Sequence, residues 1–322
     1  MRLFLASTFV LILTGAIFFA MLHLPAGKIY QASSTKEVIF RINKNETLQS
    51  ISHRLKQKKL IISESLFQYG ARLKKIDKLI KYGEFSLTDK MSIFEILKKT
   101  SSNDHVRYNI FVKECITSWE IIKLFKEKHF LEDNLSDEIL AEGGFAPDTY
   151  KVGYNTKFSE LLDLMRLKQD QILQEQWNRR QNDLPIYNKY DLLILASIIE
   201  KEAANALEMP KIASVFFNRL EMGMRLQSDP TVTYGQDLGN VSKRKELTKN
   251  DLKISSPYNT YRIPGLPISP ICNPSKSAII AAANPINTNF IYFVMSDSGE
   301  HIFSENFSDH KKNVSNWRKS RK

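Results

Sequence analysis

The segment that most constrains the fold is a helix predicted from Lys189 onwards, because it has almost no polar side. Between Leu192 and Ile199 only Ser197 is polar. A helix that is apolar on nearly every side has to be buried on nearly every side. The segment therefore predicts the central helix of a folded body, and Asn188 stands where its N-cap belongs.

Two glutamates end this predicted helix. Glu200 shares one face with Leu193 and Ser197, whereas Glu202 points roughly the opposite way and is expected to be solvated. Burial at the edge of an apolar helix raises the pKa of a carboxyl group. A carboxylic acid that keeps its proton near neutral pH can protonate a departing glycosidic oxygen. Periodicity alone leaves two alternatives open: Glu200 is the first exposed residue after a buried stretch, or one half of an internal ion pair.

The composition is that of a globular protein with room for two domains. The chain has 322 residues, of which 43% are hydrophobic and 25% charged. Its net charge of +11 comes from scattered lysines, which favours a solvated surface, although acidic partners such as nucleic acid, anionic lipid or cell-wall polymer would also suit it. No nucleic-acid motif accompanies the charge. Two cysteines, Cys115 and Cys272, exclude a disulfide scaffold, and their spacing leaves open whether they pair.

The N-terminus contains an uncharged stretch from Leu3 to Leu24. As a helix this stretch would be about 33 Å long, enough to cross a hydrocarbon core of about 30 Å. A cleaved signal peptide is the alternative, but its apolar region is usually shorter and is followed by a small-residue cleavage site. We therefore expect an uncleaved transmembrane anchor over residues 1–27, with its N-terminus inside if the body is exported.

The rest of the chain predicts an α+β protein in two parts. A polar linker (28–36) leads into a β-α-α-β-α-β unit over residues 37–113, which has no obvious reactive cluster. Capping boxes are expected at Ser92–Glu95 and Thr117–Glu120. Residues 114–322 form the larger part, with a long helix near 157–180, a hairpin around 297–299 and a closing helix.

Polar and aromatic residues crowd two stretches after the central helix. The first, RLQSDPTVTYGQ, is predicted to be non-helical and supplies hydrogen-bond donors and acceptors of the kind that sugar hydroxyls require, although a simple Ser-Asp-Pro turn is the alternative. The second, SPYNTYRIPGLPISPICNP, is a proline-stiffened loop whose Tyr258 and Tyr261 could stack on sugar rings, or a rigid loop without function.

Taken together, these segments resemble the YceG-like family of endolytic murein transglycosylases. The resemblance runs from the apolar N-terminal segment to Trp317, and several long motifs occur in the right order. The motifs that carry it are EGGFAPDTY, ASIIEKEA, ASVFFNRLEMGMRLQSDPTVTYG, SPYNTY, GLPISPICNP, AAANP and YFV…GEHIFS…DH.

The resemblance implies a fold and a reaction. Residues 37–113 would be a LysM-like domain and residues 114–322 the catalytic domain, outside the cytoplasmic membrane. The enzyme would cut nascent peptidoglycan glycan strands internally between N-acetylmuramic acid and N-acetylglucosamine, leaving a 1,6-anhydro end and ending elongation beside the peptidoglycan synthases. Glu200 would serve as acid and then as base, with Asp229 and Glu202 as fallback candidates. Candidate groove residues are Asn218, Gln227, Ser228, Asp229, Tyr234, Tyr258, Asn259, Asn273 and His301.

Other classes of function are less consistent with the sequence. The six histidines form no HExxH pair, and there is no P-loop, dinucleotide glycine pattern or GxSxG, so no metal or cofactor is expected. A non-catalytic wall-binding scaffold would use the LysM-like unit and be insensitive to Glu200. A murein hydrolase that uses water would differ only in its product.

Overall fold

Two compact units make up the chain. The computed structural model describes residues 2–30, 37–135 and 140–320, apart from the side chains of residues 2–12 and of Tyr30. Unit 1 comprises Met1–Asn109 and Lys151–Asn155, and unit 2 comprises Ile110–Tyr150 and Thr156–Lys322. The mixture of helices and short strands confirms the α+β class.

The N-terminal segment is helical. Helix α1 covers Arg2–His23 and α2 covers Ala26–Tyr30. Leu22 of α1 is buried in the core of unit 1. Within the described part of the chain, no helix is long and apolar enough to cross a bilayer. The predicted anchor thus stays a prediction, and residues 31–36 of the predicted linker lie outside the described residues.

Unit 1 is built on a two-stranded antiparallel sheet covered by helices. Strand β1 pairs with β2 in a register that sets Val38 opposite Leu87 and Ile42 opposite Gly83. The side chains of Phe40, Phe67 and Phe85 are fully buried in its core. Its elements are β1 (Val38–Ile42), α3 (Leu48–Gln57), α4 (Glu64–Leu73), β2 (Gly83–Leu87) and α5 (Ile93–Ser101).

Strand β3 (Arg107–Phe111) completes the predicted order of elements, which is confirmed. It does not join the sheet of β1 and β2, but pairs with β5 (Thr149–Gly153), a strand that the sequence did not predict. Between them lie α6 (Ser118–Lys126) and β4 (Leu131–Glu132), and β4 pairs in parallel with β6 (Thr156–Lys157). The long helix α7 (Phe158–Arg179) begins directly after β6.

Unit 2 is organised around the central helix that the sequence predicted. This helix, α8 (Lys189–Glu202), has every side chain from Leu192 to Ile199 buried, and α7, α9, α10 and α11 pack against it. The remaining elements are α9 (Met209–Glu221), α10 (Asp229–Asp237), α11 (Lys276–Ala283), β7 (Tyr292–Met295), β8 (His301–Ser304) and α12 (Phe307–Ser320), with single 3-10 turns at Val241–Lys243 and Asp251–Lys253.

The stretch RLQSDPTVTYGQ corrects one prediction, because most of it is helical. Pro230 lies in the first turn of α10, where its missing N–H costs nothing. The crowded polar residues and the Ser-Asp-Pro sequence suggested a non-helical stretch, but Asp229–Asp237 is helical and packs against α8. A Cβ on Gly235 would lie 3.0 Å from both Ser256 Oγ and Tyr258 Cβ, so the glycine lets α10 approach the proline-rich loop closely.

Candidate active site

The end of α8 presents two carboxyl groups to different neighbours. Ala203 is the C-cap, so Glu200 and Glu202 both lie in the last turn. Because they are two residues apart, their side chains diverge around the helix axis. The Glu200 carboxyl faces the start of α11, and the Glu202 carboxyl faces the segment that leads into α10.

The Glu200 carboxylate caps α11. Its Oε2 accepts hydrogen bonds from the Ser275 backbone N–H (2.8 Å) and the Ser275 hydroxyl (2.6 Å). Ser275 is the N-cap of α11, so the charge also meets the positive end of a helix dipole. Burial raises the pKa of Glu200, but these two bonds oppose the rise because they favour the ionised form. The contacts fit a carboxylate that positions α11.

The Glu202 carboxyl is in a different environment from the one predicted. The sequence led us to expect a solvated side chain, but its Oε1 accepts a hydrogen bond of 2.6 Å from the buried Ser228 hydroxyl. Desolvation raises the pKa of Glu202 to about 7, the Ser228 bond opposes the rise, and the nearby Asp229 charge adds to it. Helix periodicity missed this burial because it cannot show which distant loop folds over the end of a helix. The Glu202 carboxyl can therefore hold a proton near neutral pH.

Hydrogen bonds from buried side chains hold the segment around Ser228, which contacts Glu202. The Ser228 backbone N–H donates to Thr260 Oγ1 (2.9 Å), and Thr231 Oγ1 donates to the Ser228 carbonyl (2.7 Å). Ser228, Thr231 and Thr260 are all buried. The buried Arg219 guanidinium also donates to the Leu226 carbonyl at 2.5 Å. These bonds fix the hydroxyl that contacts Glu202.

Two exposed polar residues flank the buried Ser228. Gln227 and Asp229 are both exposed, and Asp229 Oδ1 accepts a hydrogen bond of 2.7 Å from the Tyr261 hydroxyl. The Glu202 carboxyl, bonded to Ser228, thus lies close to residues that carry an amide, a carboxylate and a phenol. Such groups can donate to and accept from sugar hydroxyls.

A second glutamate, the half-buried Glu142, lies in the motif EGGFAPDTY. Its Oε1 accepts from the Ser118 N–H (2.8 Å) and from Asn273 Nδ2 (3.0 Å), and its Oε2 accepts from the Tyr234 hydroxyl (3.2 Å). Burial raises the pKa of Glu142 to about 7, against the opposing Ser118 and Tyr234 bonds. The predicted groove residues Tyr234 and Asn273 therefore meet at Glu142, whereas Ser228 meets Glu202.

The remaining predicted groove residues are engaged elsewhere. Tyr258 packs edge-on against Tyr234, and its hydroxyl hydrogen-bonds to Ser269. Three others hold the fold together through their side chains: Asn218 Nδ2 donates to the Thr288 and Phe290 carbonyls, Asn259 Nδ2 donates to the Ile254 carbonyl, and the His301 ring contacts Glu208. A role for these three in substrate binding stays a prediction.

Several residues of the site were not singled out from the sequence. Glu142 was noted only as part of the motif EGGFAPDTY, and Ser275 carried no signal of periodicity or spacing. Thr260 holds Ser228 from a position 32 residues away, which only the folded chain reveals. Among the described residues there is no group of three or more His, Cys, Asp or Glu side chains placed to hold a metal ion.

A disulfide bond crosses the base of the site. Cys115 and Cys272 are bonded, which answers the question that their spacing left open. Their sulfur atoms lie 4.0 Å and 3.5 Å from the carbonyl oxygen of Ser197 in α8, and the Ile271 N–H donates to the Ser197 hydroxyl (3.0 Å). The disulfide therefore ties the start of α6 and the loop before α11 against the helix that carries both glutamates.

Because desolvation raises the pKa of Glu202 to about 7, this carboxyl is a candidate acid–base group on an α+β scaffold. Comparison with known proteins then gives the family. The sequence model of the YceG-like family matches residues 40–316, and the chain belongs to that family.

Several known proteins match most of the chain. The endolytic murein transglycosylase of Bacillus subtilis is 29% identical over 317 residues, which covers 88% of this chain and 85% of the relative. That of Streptococcus pneumoniae serotype 2 is 26% identical over 326 residues, which covers 88% of this chain and 59% of the relative. A crystal structure of a YceG-like protein from Listeria monocytogenes aligns with a TM-score of 0.50 and 27% identity, over 87% of this chain and 99% of that one.

Proposed function

We propose that this chain is an endolytic murein transglycosylase. It is a lyase that cleaves the bond between N-acetylmuramic acid and N-acetylglucosamine inside peptidoglycan strands and leaves a 1,6-anhydro-muramyl end. Family membership and the relatives named as endolytic murein transglycosylases support this function. The observation that carries it in this chain is the Glu202 carboxyl, whose pKa is raised to about 7 and whose partner Ser228 is flanked by exposed polar residues.

One carboxyl is sufficient for the reaction. The protonated Glu202 gives its proton to the glycosidic oxygen as the bond from that oxygen to the muramyl anomeric carbon breaks. The muramyl C6 hydroxyl then attacks the anomeric carbon, and the Glu202 carboxylate takes the hydroxyl proton. The carboxyl ends the cycle as it began, and the nucleophile belongs to the substrate. A second carboxylate at the separation used by hydrolases is therefore not required.

The geometry favours Glu202 over Glu200 for this proton transfer. Glu200 Oε2 accepts two hydrogen bonds at the N-terminus of α11, which stabilise its ionised form. Glu202 accepts a hydrogen bond from the Ser228 hydroxyl, and Ser228 is flanked by the exposed residues Gln227 and Asp229. The assignment to Glu200 that the sequence favoured stays a prediction, and variants of both residues separate the two assignments.

The products of murein digestion test the function directly. Full-length protein in detergent is expected to release fragments from purified glycan strands whose muramyl ends lack one water relative to reducing ends. Mass spectrometry distinguishes the two ends. Fragments with reducing ends would identify a hydrolase that uses water, and binding to sacculi without any fragment would identify a non-catalytic scaffold. Either result contradicts the proposal.

Activity is expected to fall as the pH rises above about 7. The first step needs protonated Glu202, and a raised pKa of about 7 keeps the proton below that pH and releases it above. The measurement is kcat/KM for strand cleavage between pH 5 and 9. The pKa of Glu142 is also raised to about 7, so Glu142→Gln is the control. In that variant kcat/KM should still fall above about pH 7. Activity that increases through pH 7 would contradict the assignment.

The proposal includes a location outside the cytoplasmic membrane. The uncharged residues 3–24 support a single-pass anchor, and the Cys115–Cys272 disulfide suits an oxidising compartment. Alkaline extraction of membranes is expected to leave the chain in the membrane fraction. Protease added outside intact spheroplasts should digest the body of the protein, and a protected body would contradict this orientation.

The same proposal extends to the N-terminal unit and to partners. The β-α-α-β order of β1 to β2 supports a LysM-like domain over residues 37–113, which an experimental structure of this unit would test.

A role in ending glycan elongation places peptidoglycan synthases beside the enzyme. Crosslinking in cells would test for them, and recovery of no synthase would count against this association.

A further inference from the structure

A cavity lies along helix α6 of unit 2, and Glu202 is not among its lining residues. Its volume is 720 Å³, and it is lined by Trp119, Lys123, Glu142, Tyr234 and Tyr258 among others. A second cavity of 300 Å³ is lined by Trp119 and Lys123 as well, and continues to Phe111. The two cavities together are called the α6 groove here. Both fall in or near the size range of sites that hold small ligands.

Aromatic side chains form the walls of the α6 groove. Trp119 lines both cavities, Tyr258 and Tyr234 line the larger one, and Phe111, 69% exposed, lines the smaller one. The face of an aromatic ring is electron-rich and attracts the positively polarised C–H groups on the face of a sugar ring. Phe111 therefore adds an exposed aromatic ring to the lining of the smaller cavity.

Polar groups of the α6 groove suit an uncharged ligand. The lining contains three lysines and three glutamates, so their charges nearly cancel, and Lys113 is already paired with Glu120 at 3.1 Å. Glu142 and the Tyr234 hydroxyl are held in place by the Ser118 and Asn273 bonds. A fixed carboxyl and a fixed phenol can hydrogen-bond to the amide and hydroxyls of a neutral sugar.

Helix α10 connects the α6 groove to the Glu202 site. Asp229, next to Ser228 at the Glu202 site, is its first residue, and Tyr234 and the following Leu238 line the groove. Nine residues at 1.5 Å each place the two ends of α10 about 14 Å apart. The proline-rich loop makes the same connection, because Tyr261 contacts Asp229 and Tyr258 lines the groove. A polymer bound at Glu202 is long enough to reach the groove.

We infer that the α6 groove binds N-acetylated hexosamine units of the glycan strand at a distance from the bond that is cut. This inference rests on the proposed function and extends it to substrate length. A glycan strand that fills the α6 groove as well as the Glu202 site is bound at two places. A short fragment reaches only one, so the groove makes the enzyme prefer bonds inside long strands.

The test measures binding and cleavage separately. Binding of chitotetraose, an oligomer of N-acetylglucosamine, is measured by calorimetry on full-length Glu202→Gln protein in detergent, with and without Trp119→Ala. We expect Trp119→Ala to raise the Kd at least about tenfold. Trp119→Tyr, which keeps a ring, should restore most of the affinity. Tyr187→Ala is the matched control, since Tyr187 is 93% exposed and lies outside the groove lining.

Cleavage is measured on proteins with Glu202 intact. Trp119→Ala is expected to lower kcat/KM at least about tenfold on long strands and to leave cleavage of short fragments nearly unchanged. An unchanged Kd for chitotetraose, or equal losses on long and short strands, would overturn the inference. Loss of binding to a free stem peptide alone would make the groove a peptide site and would also overturn it. Wild-type protein that binds chitotetraose through Trp119 but releases no anhydro product would instead refute the proposed function.

Discussion

Glu202→Gln is expected to lower the release of anhydro-muramyl product by roughly 10²–10⁴-fold, the usual contribution of a general acid–base group. Glutamine has nearly the same shape and can still accept the Ser228 hydroxyl bond of 2.6 Å, so the fold should be retained. It cannot donate a proton to the glycosidic oxygen as an acid does. The measurement is the initial rate of product formation from purified glycan strands, with thermal unfolding as the check on folding.

Glu200→Gln is the matched control for this experiment. The amide oxygen can still accept from the Ser275 N–H and hydroxyl, and only the charge at the start of α11 is lost. We expect a stability loss of about 1 kcal/mol or less from the missing charge–dipole interaction, and an activity loss of less than about tenfold. If Glu200→Gln is inactive and Glu202→Gln is not, the sequence-based assignment is right and the assignment to Glu202 is wrong.

Features that depend on nearby residues were predicted correctly. The Asn188 side chain accepts from the N–H groups of Tyr190 and Asp191 as an N-cap should. Both capping boxes, at Ser92–Glu95 and Thr117–Glu120, form as expected. The burial of α8 on all sides also follows from its apolar run. Transfer of apolar side chains out of water is favourable whichever part of the chain covers them. Local hydrogen bonds and apolar periodicity depend only on residues that are close in sequence, so they can be recognised without the tertiary structure.

The environment of each glutamate could not be predicted in the same way. Periodicity gives the direction of a side chain around its own helix, but it does not show what packs there. Glu202 is desolvated because Ser228, 26 residues later, is held over it by Thr260, a further 32 residues along. Glu200 is anchored by Ser275, 75 residues away. The raised pKa of each of these two neighbouring carboxyls is thus a property of the tertiary structure.

The Cys115–Cys272 disulfide bond is expected to stabilise the fold. It joins positions 157 residues apart, and it packs against the Ser197 carbonyl about one turn before Glu200. Closing so long a loop removes much conformational freedom from the unfolded chain. Since both cysteines are buried in the folded protein, the bond also restrains the loop that precedes Ser275 and α11. Its loss should therefore affect both the folded body and the geometry around α8.

Replacing both cysteines by serine is expected to lower the free energy of unfolding by roughly 2–5 kcal/mol. For a unit of this size the midpoint of thermal unfolding should fall by roughly 5–15 °C. Calorimetry of the wild type and of the Cys115→Ser/Cys272→Ser variant, each with and without reductant, measures the effect. Reductant present during unfolding and refolding should bring the wild type down to the variant and leave the variant unchanged. Equal midpoints for the two proteins without reductant would show that the bond contributes nothing to stability.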